Sequence, residues 1–262
     1  MFYLLEKLAS NTIAWVVILS SGINVSGQNA EFTPVDRWYE VYLGNTKVGY
    51  VSDIMQKEGD VIKSRNEFLM LIKRAGQTVE ITVEQETKEK LSGELIDFNS
   101  ETKMAGIPML KKGRVEGKEL VVYEKQFITG KETRYPFDPE GAVSWGLRKQ
   151  VLENGFQEAG KTYQLKVYSP DLGMKAPVKA NIICSGEKLI QIREEKIQAY
   201  EVDMELLSTF GSLKTKSWFD KECVAVRTDM NMGGMNISII QVPKKKAKKM
   251  DAEVHELLLS SV

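Results

Sequence analysis

Two cysteines, Cys184 and Cys223, and one histidine, His255, are the chain's whole stock of thiol and imidazole. A cysteine nucleophile needs a base to take its proton and a third group to orient that base. No pattern in the chain brings His255 to either thiol. Cys184 shares the alternating phase of Val178, Ala180 and Ile182, the phase of a buried strand face, where a thiol is inert. Cys223 follows Phe219-Asp220-Lys221-Glu222 at the end of a predicted hairpin turn. A serine triad fails for the same lack of histidine, and no Gly-x-Ser-x-Gly elbow is present. The glycine-rich stretches are turns, without the strand–loop–helix and Gly-Lys-Ser/Thr that cradle phosphate. Zinc wants about four Cys or His ligands, more than the chain holds. Met230, Met232 and Met235 offer soft thioethers of the kind copper(I) accepts, but Gly233-Gly234 between them reads first as a hairpin turn. Glu194-Glu195 reads as the solvated face of a charged strand. The sequence thus assigns no catalytic, cofactor-binding or metal-binding residue. The two cysteines could instead form a disulfide, worth roughly 4 kcal/mol for a loop of about 39 residues, or stay free; spacing leaves both open.

The elements that would carry any site are mostly strands. Val79, Ile81 and Val83 alternate with Glu80, Thr82 and Glu84, and Tyr200, Val202, Met204 and Leu206 alternate with Glu201, Asp203 and Glu205. Period-two alternation marks half-buried strands. Turn signals punctuate the runs at Gly44-Asn45, Gly59-Asp60, Gly76-Gln77, Glu116-Gly117-Lys118 and Ser185-Gly186-Glu187. Short strands joined by tight turns predict a mainly β protein: an antiparallel meander forming an open, twisted, barrel-like sheet. One helix interrupts it. Asp138 is placed to cap it, Pro139 to occupy its first position and Gly155 to follow its end. Val143, Leu147 and Val151 form its apolar stripe, with Trp145 and Leu152 beside it, to pack on the concave face of the sheet. Trp38, Trp145 and Trp218 could line a cavity between sheet and helix, or simply fill the core.

Charge and length narrow the function classes. Among 262 residues, 36 basic side chains balance 36 acidic ones, which gives no electrostatic reason to bind nucleic acid. A chain of this length buries a sizeable core without metal or disulfide staples. At the N-terminus Lys7 precedes an apolar run from Ile13 to Ile23, which is signal-peptide length and short of a membrane span. Val25 and Gly27 fit the small-residue cleavage pattern, so residues 1–27 are read as a signal peptide, with a cut after Ala30 as second choice. An uncleaved anchor from Leu4 to Ile23 is the rival reading. A single β-rich domain is assigned to residues 37–243. Residues 244–262 form a basic linker, with five lysines between Lys244 and Lys249, and then a short amphipathic helix on Ala247, Met250, Val254 and Leu257 or Leu258. Those lysines could touch anionic lipid.

The succession RWYEVYLGNTKVGYV, EFLMLIKRAGQTVEITVEQET, GELIDFN, GRVEGKELVV, KTYQLKVYSPDLG and YEVDMELL…KSWFDKECVAVRTDMNMGGMNISII resembles the β-rich region ahead of the catalytic domain in some exported bacterial transglutaminase-like proteins. It is similar as well to exported domains of unknown function whose fold is like that of lipoprotein carriers. The resemblance spans about residues 37–243 and implies an open barrel wrapped over a helix. A transglutaminase-type core needs Cys, His and Asp in that chain order, and no Asp follows His255. The resemblance therefore carries over no catalytic residue, and the tail KKAKKMDAEVHELLLSSV looks like a connector to a catalytic half. The expected function is a non-catalytic, exported accessory or binding domain, periplasmic or otherwise outside the cytoplasm, without a cofactor. Its expected partners are a catalytic domain or envelope protein. The alternative is a periplasmic carrier of a lipid or lipidated protein, holding an apolar ligand in the barrel. Membrane contact is expected only through the N-terminal segment or the lysine-rich tail.

Overall fold

Strand β4 (Gln77–Lys90) shows how alternation becomes a wall: Ile81, Val83, Gln85, Thr87 and Glu89 are buried, while Glu80, Glu84, Glu86 and Lys88 are exposed. The computed structural model describes residues 31–250 apart from 75–76, 171–172, 209–210 and 233. The segment expected to be a signal peptide, His255 and the expected C-terminal helix beyond residue 250 lie outside the described residues.

Among the described residues the strands form one 15-stranded sheet. An N-terminal meander contains β1 (Val35–Leu43), β2 (Thr46–Glu58), β3 (Val61–Arg74), β4, β5 (Leu95–Met104), β6 (Ile107–Glu116), β7 (Glu119–Gln126) and β8 (Thr129–Pro136). After the short β9 (Gly141–Ala142) and helix α1 (Ser144–Asn154) comes a second meander: β10 (Thr162–Ser169), β11 (Gly173–Ile192), β12 (Glu195–Ser208), β13 (Gly211–Phe219), β14 (Ala225–Met232) and β15 (Met235–Val242). The first and last strands join the halves: β1 pairs antiparallel with β15, Trp38 opposite Val242. The free edges are β8 and β9. Among the described residues no ladder closes them. Side chains do: Leu95, Phe98, Leu120 and Val122 pack with Val143, Tyr168 and Met174, and Phe137 stacks on Tyr168 at 5.7 Å. The sheet is barrel-like and remains open in its hydrogen bonding.

Helix α1 packs within the curl. Trp145, Leu147, Val151 and Leu152 join Phe156 and the inward residues of β1 to β4 and β10 to β15 in the main core. The helix starts later than Asp138 and Pro139 predict. Asp138 instead accepts the Glu140 amide at 3.0 Å in a turn, and β9 intervenes before the helix. Gly155 does end it, at φ +77°, its amide bonding back to Val151 and Leu152. Val143 has no side chain to cap with, so the first free amides take a partner from elsewhere, as described below.

Two further expectations are corrected. Ser185-Gly186-Glu187 is no turn: Gly186, at φ +76°, is a bulge within the long β11, where the register against β12 shifts between Cys184 and Gly186. Glu194-Glu195 is solvated as expected but is not wholly in a strand: Glu194 lies in the turn between β11 and β12, and Glu195 opens β12. Because β13 pairs with β12 only as far as Tyr200, the outer end of this hairpin overhangs the sheet, paired only with itself.

Candidate functional site

On the outer face of β1 the overhanging hairpin meets the start of the C-terminal segment. Strand alternation puts Trp38, Glu40 and Tyr42 on this face. Glu40 is nearly sealed from solvent and lies 3.1 Å from the Lys47 ammonium, with 4% of each side chain exposed. Arg193, from the hairpin tip, reaches the other Glu40 oxygen, and Tyr42 Oη donates to it at 3.0 Å. Lys47 also donates to the carbonyls of Lys246, at 2.9 Å, and Lys249. It thereby caps the short helix α2 (Lys244–Ala247), whose Ala247 is wholly buried. One buried carboxylate therefore ties three remote segments together. Up to Lys249 the lysine run lies docked against β1. Lys244 and Lys248 stand 4.6 and 4.7 Å from the Trp38 ring centre, and Tyr50 packs on that ring at 5.9 Å.

Between the hairpin and the β1–β15 seam opens a cleft of about 490 Å³. Trp38, Ile192, Ile197, Val226 and Pro243 give it apolar walls, and Asp36, Arg37, Glu195 and Lys244 place both signs of charge at its lining. Apolar walls with a few charges of each sign suit a short peptide segment better than a bare acyl chain.

The barrel interior carries a second polar arrangement. Asp53 of β2, Asn66 of β3, Gln85 of β4 and Ser100 of β5 stand directly opposite one another and are all buried. Asn66 Nδ2 donates to Asp53 Oδ1 at 2.8 Å. From α1, Arg148 enters the interior with 1% of its surface exposed. Its Nη1 donates to the Thr33 carbonyl at 3.2 Å and approaches Met55 Sδ at 3.8 Å. Burial pulls the guanidinium down to about 10, partly offset by Asp53, Asp220 and Tyr39 nearby. Glu89, on the same inward face of β4 as Gln85, is pushed up to about 7 by burial against the opposing hydrogen bonds of Gly146, Trp145 and Thr87. An inner wall with this much polar surface is a poor match for the all-apolar concavity expected of a lipid carrier.

The thiols sit in the apolar part. Both are free and buried. Burial raises Cys223 strongly, with Arg148 opposing, and raises Cys184, whose Sγ points to the Gly155 carbonyl at 3.9 Å. A thiol held protonated in this way is a weak nucleophile. Met230 is core, and among the described residues no group of three or more His, Cys, Asp or Glu converges as metal ligands would. The three tryptophans do not share a cavity: Trp145 is in the core, Trp38 lines the cleft, and Trp218 lies under the Arg227 guanidinium at 5.4 Å.

Sequence reading missed Glu40, Lys47, Arg148 and Glu89. Only Glu89 left a signal, because it falls in the inward phase of Ile81 and Val83.

No protein-family model and no curated protein sequence matches the chain. Among solved structures, the chain is similar to a β-barrel-like protein of a domain of unknown function, DUF1849, from Brucella abortus. The TM-score is 0.60 at 14% identity, over 80% of this chain and 95% of that one. A DUF1089 family protein from Pseudomonas aeruginosa (TM-score 0.39, 10% identity, 67% of this chain and 87% of that one) and the hypothetical lipoprotein YmcC from Escherichia coli (0.32, 10%, 84% and 90%) are too distant in shape to carry an argument. The fold is therefore β-barrel-like, and no transglutaminase-like protein stands among these neighbours. Among the described residues no helix is long and apolar enough to cross a membrane.

Proposed function

We propose that this is a non-catalytic binding domain of an exported protein, which docks a peptide segment of an envelope partner in the cleft between the β11–β12 hairpin and the β1–β15 seam. One observation carries the reading: the cleft is open at about 490 Å³, yet its walls are fixed by a buried carboxylate holding two cations. Rigid walls around mixed apolar and charged surface suit a segment captured with little rearrangement. The buried, protonated thiols support the absence of cysteine catalysis, and the reading of residues 1–27 as a signal peptide supports export. The polar inner wall weighs against the carrier reading.

The test is site-specific photocrosslinking in the native host, with the crosslinker in place of Ile197. A discrete adduct that disappears when Val226→Arg fills the cleft supports the proposal. Adducts no stronger than those from the remote, exposed Lys118 position refute it. If native mass spectrometry of the envelope-purified chain instead finds a bound lipid that survives Val226→Arg, the carrier reading replaces it.

A further inference from the structure

The turn between β7 and β8 joins Gln126 to Thr129 through two residues, Phe127 and Ile128. They are 63% and 93% exposed, whereas far more of the large apolar side chains among the described residues are buried than exposed. Phe127 holds φ +57°, a left-handed conformation that two-residue hairpin loops normally give to glycine. A bulky apolar side chain there is strained locally and gains no burial, so neither turn chemistry nor core packing accounts for it. Lys125 and Lys131 flank the tip, exposed and without an ion pair among the described residues. The acidic groups behind them are engaged: Glu124 faces Lys111 at 3.7 Å and Glu132 faces Arg114 at 3.9 Å. Toward the next hairpin the apolar surface continues through half-buried Met109, the register partner of Gln126.

We propose that this tip is a membrane-docking finger: Phe127 and Ile128 insert among acyl chains while Lys125 and Lys131 engage anionic headgroups. The shape decides for a bilayer over a protein. A convex finger two residues wide falls far short of the roughly 800 Å² per partner of a stable protein interface. Apolar side chains with cations set just behind them match the depth profile of a bilayer surface. This surface lies apart from the lysine-rich tail, and the inference stands whether or not the cleft binds a peptide.

The test is flotation of the purified chain with vesicles of mixed phosphatidylethanolamine and phosphatidylglycerol, compared with phosphatidylcholine vesicles. Binding is expected to the anionic vesicles and to weaken with salt. Phe127→Asn/Ile128→Ser, in which Asn suits the left-handed position, should lower affinity roughly tenfold or more, and Lys125→Gln/Lys131→Gln roughly tenfold. In an Ile128→Trp chain, brominated acyl chains should quench the new emission. No binding, unquenched emission, or binding that survives the tip variants but is lost with Lys244→Gln/Lys245→Gln would overturn the proposal.

Discussion

Glu89 Oε1 accepts the backbone amide of Gly146 at 2.7 Å, and its Oε2 accepts that of Trp145 at 2.8 Å. A carboxylate on β4 thus does for α1 what a local Ser or Asp would ordinarily do, and its charge faces the positive end of the helix. The cap fixes the helix to one wall of the barrel, so helix and sheet cannot shift independently.

Burial of that carboxyl, against the pull of the cap's own hydrogen bonds, makes stability depend on pH in an unusual direction. Burial raises Glu89 from 4.5 to about 7, so between these values the folded state binds the extra proton and the unfolded state does not. Its contribution is therefore complete below about pH 4.5 and lost as pH rises through about 7, by roughly 3 kcal/mol at most. Glu89→Gln should show a flatter melting temperature than the parent from pH 5 to 8, in matched thermal scans. Equal slopes would show that Glu89 does not titrate there.

Gly146 sits inside the helix, where Gly→Ala usually stabilises by up to about 1 kcal/mol. Here a Cβ would come 2.5 Å from the Gly93 carbonyl oxygen and 3.3 Å from Glu89 Oε1. Gly146→Ala is expected to destabilise by roughly 1–3 kcal/mol, because backbone must move. A urea midpoint at or above that of the parent would contradict the close approach of helix and β4–β5 turn.

Removing the Lys47 ammonium strips Glu40 of one of its two cations inside a nearly dry site. Lys47→Met should cost about 3–5 kcal/mol, as breaking buried pairs does. It should also free α2, so that brief trypsin treatment cuts between Lys244 and Lys249 far faster than in the parent while the barrel stays intact. Cutting rates equal to the parent's would mean that Ala247 burial alone holds the segment.

The β meander was legible because alternation is a local property: Tyr200, Val202, Met204 and Leu206 announce a strand whatever lies beside it. What lies beside it is not local. Alternation says that Glu40 faces away from the core but not that a hairpin tip some 150 residues later folds over it and dries the surface. Gly186 was read as a turn because glycine signals both turns and bulges, and only the pairing of β11 with β12 separates them. Asp138-Pro139 carries a helix-start signature, yet Glu89 of β4, remote in sequence, supplies the cap, so the helix begins where that carboxylate can reach. The cleft is invisible for the same reason: its walls come from β1, the β11–β12 hairpin, β14 and the segment after β15.

The pairing of Trp38 with Val242 has a consequence for the order in which the chain folds. The N-terminal meander β1 to β8 is built of neighbouring hairpins and can zip early, from local contacts. During that time β1 has β2 on one side only, because its other neighbour lies about 200 residues downstream, a loop whose closure is entropically slow. Until β15 docks, the folding chain carries an open strand edge with Glu40 not yet covered by the hairpin. That interval is when cross-pairing between chains is most available, and the strand that opens the sheet is the last to find its second neighbour.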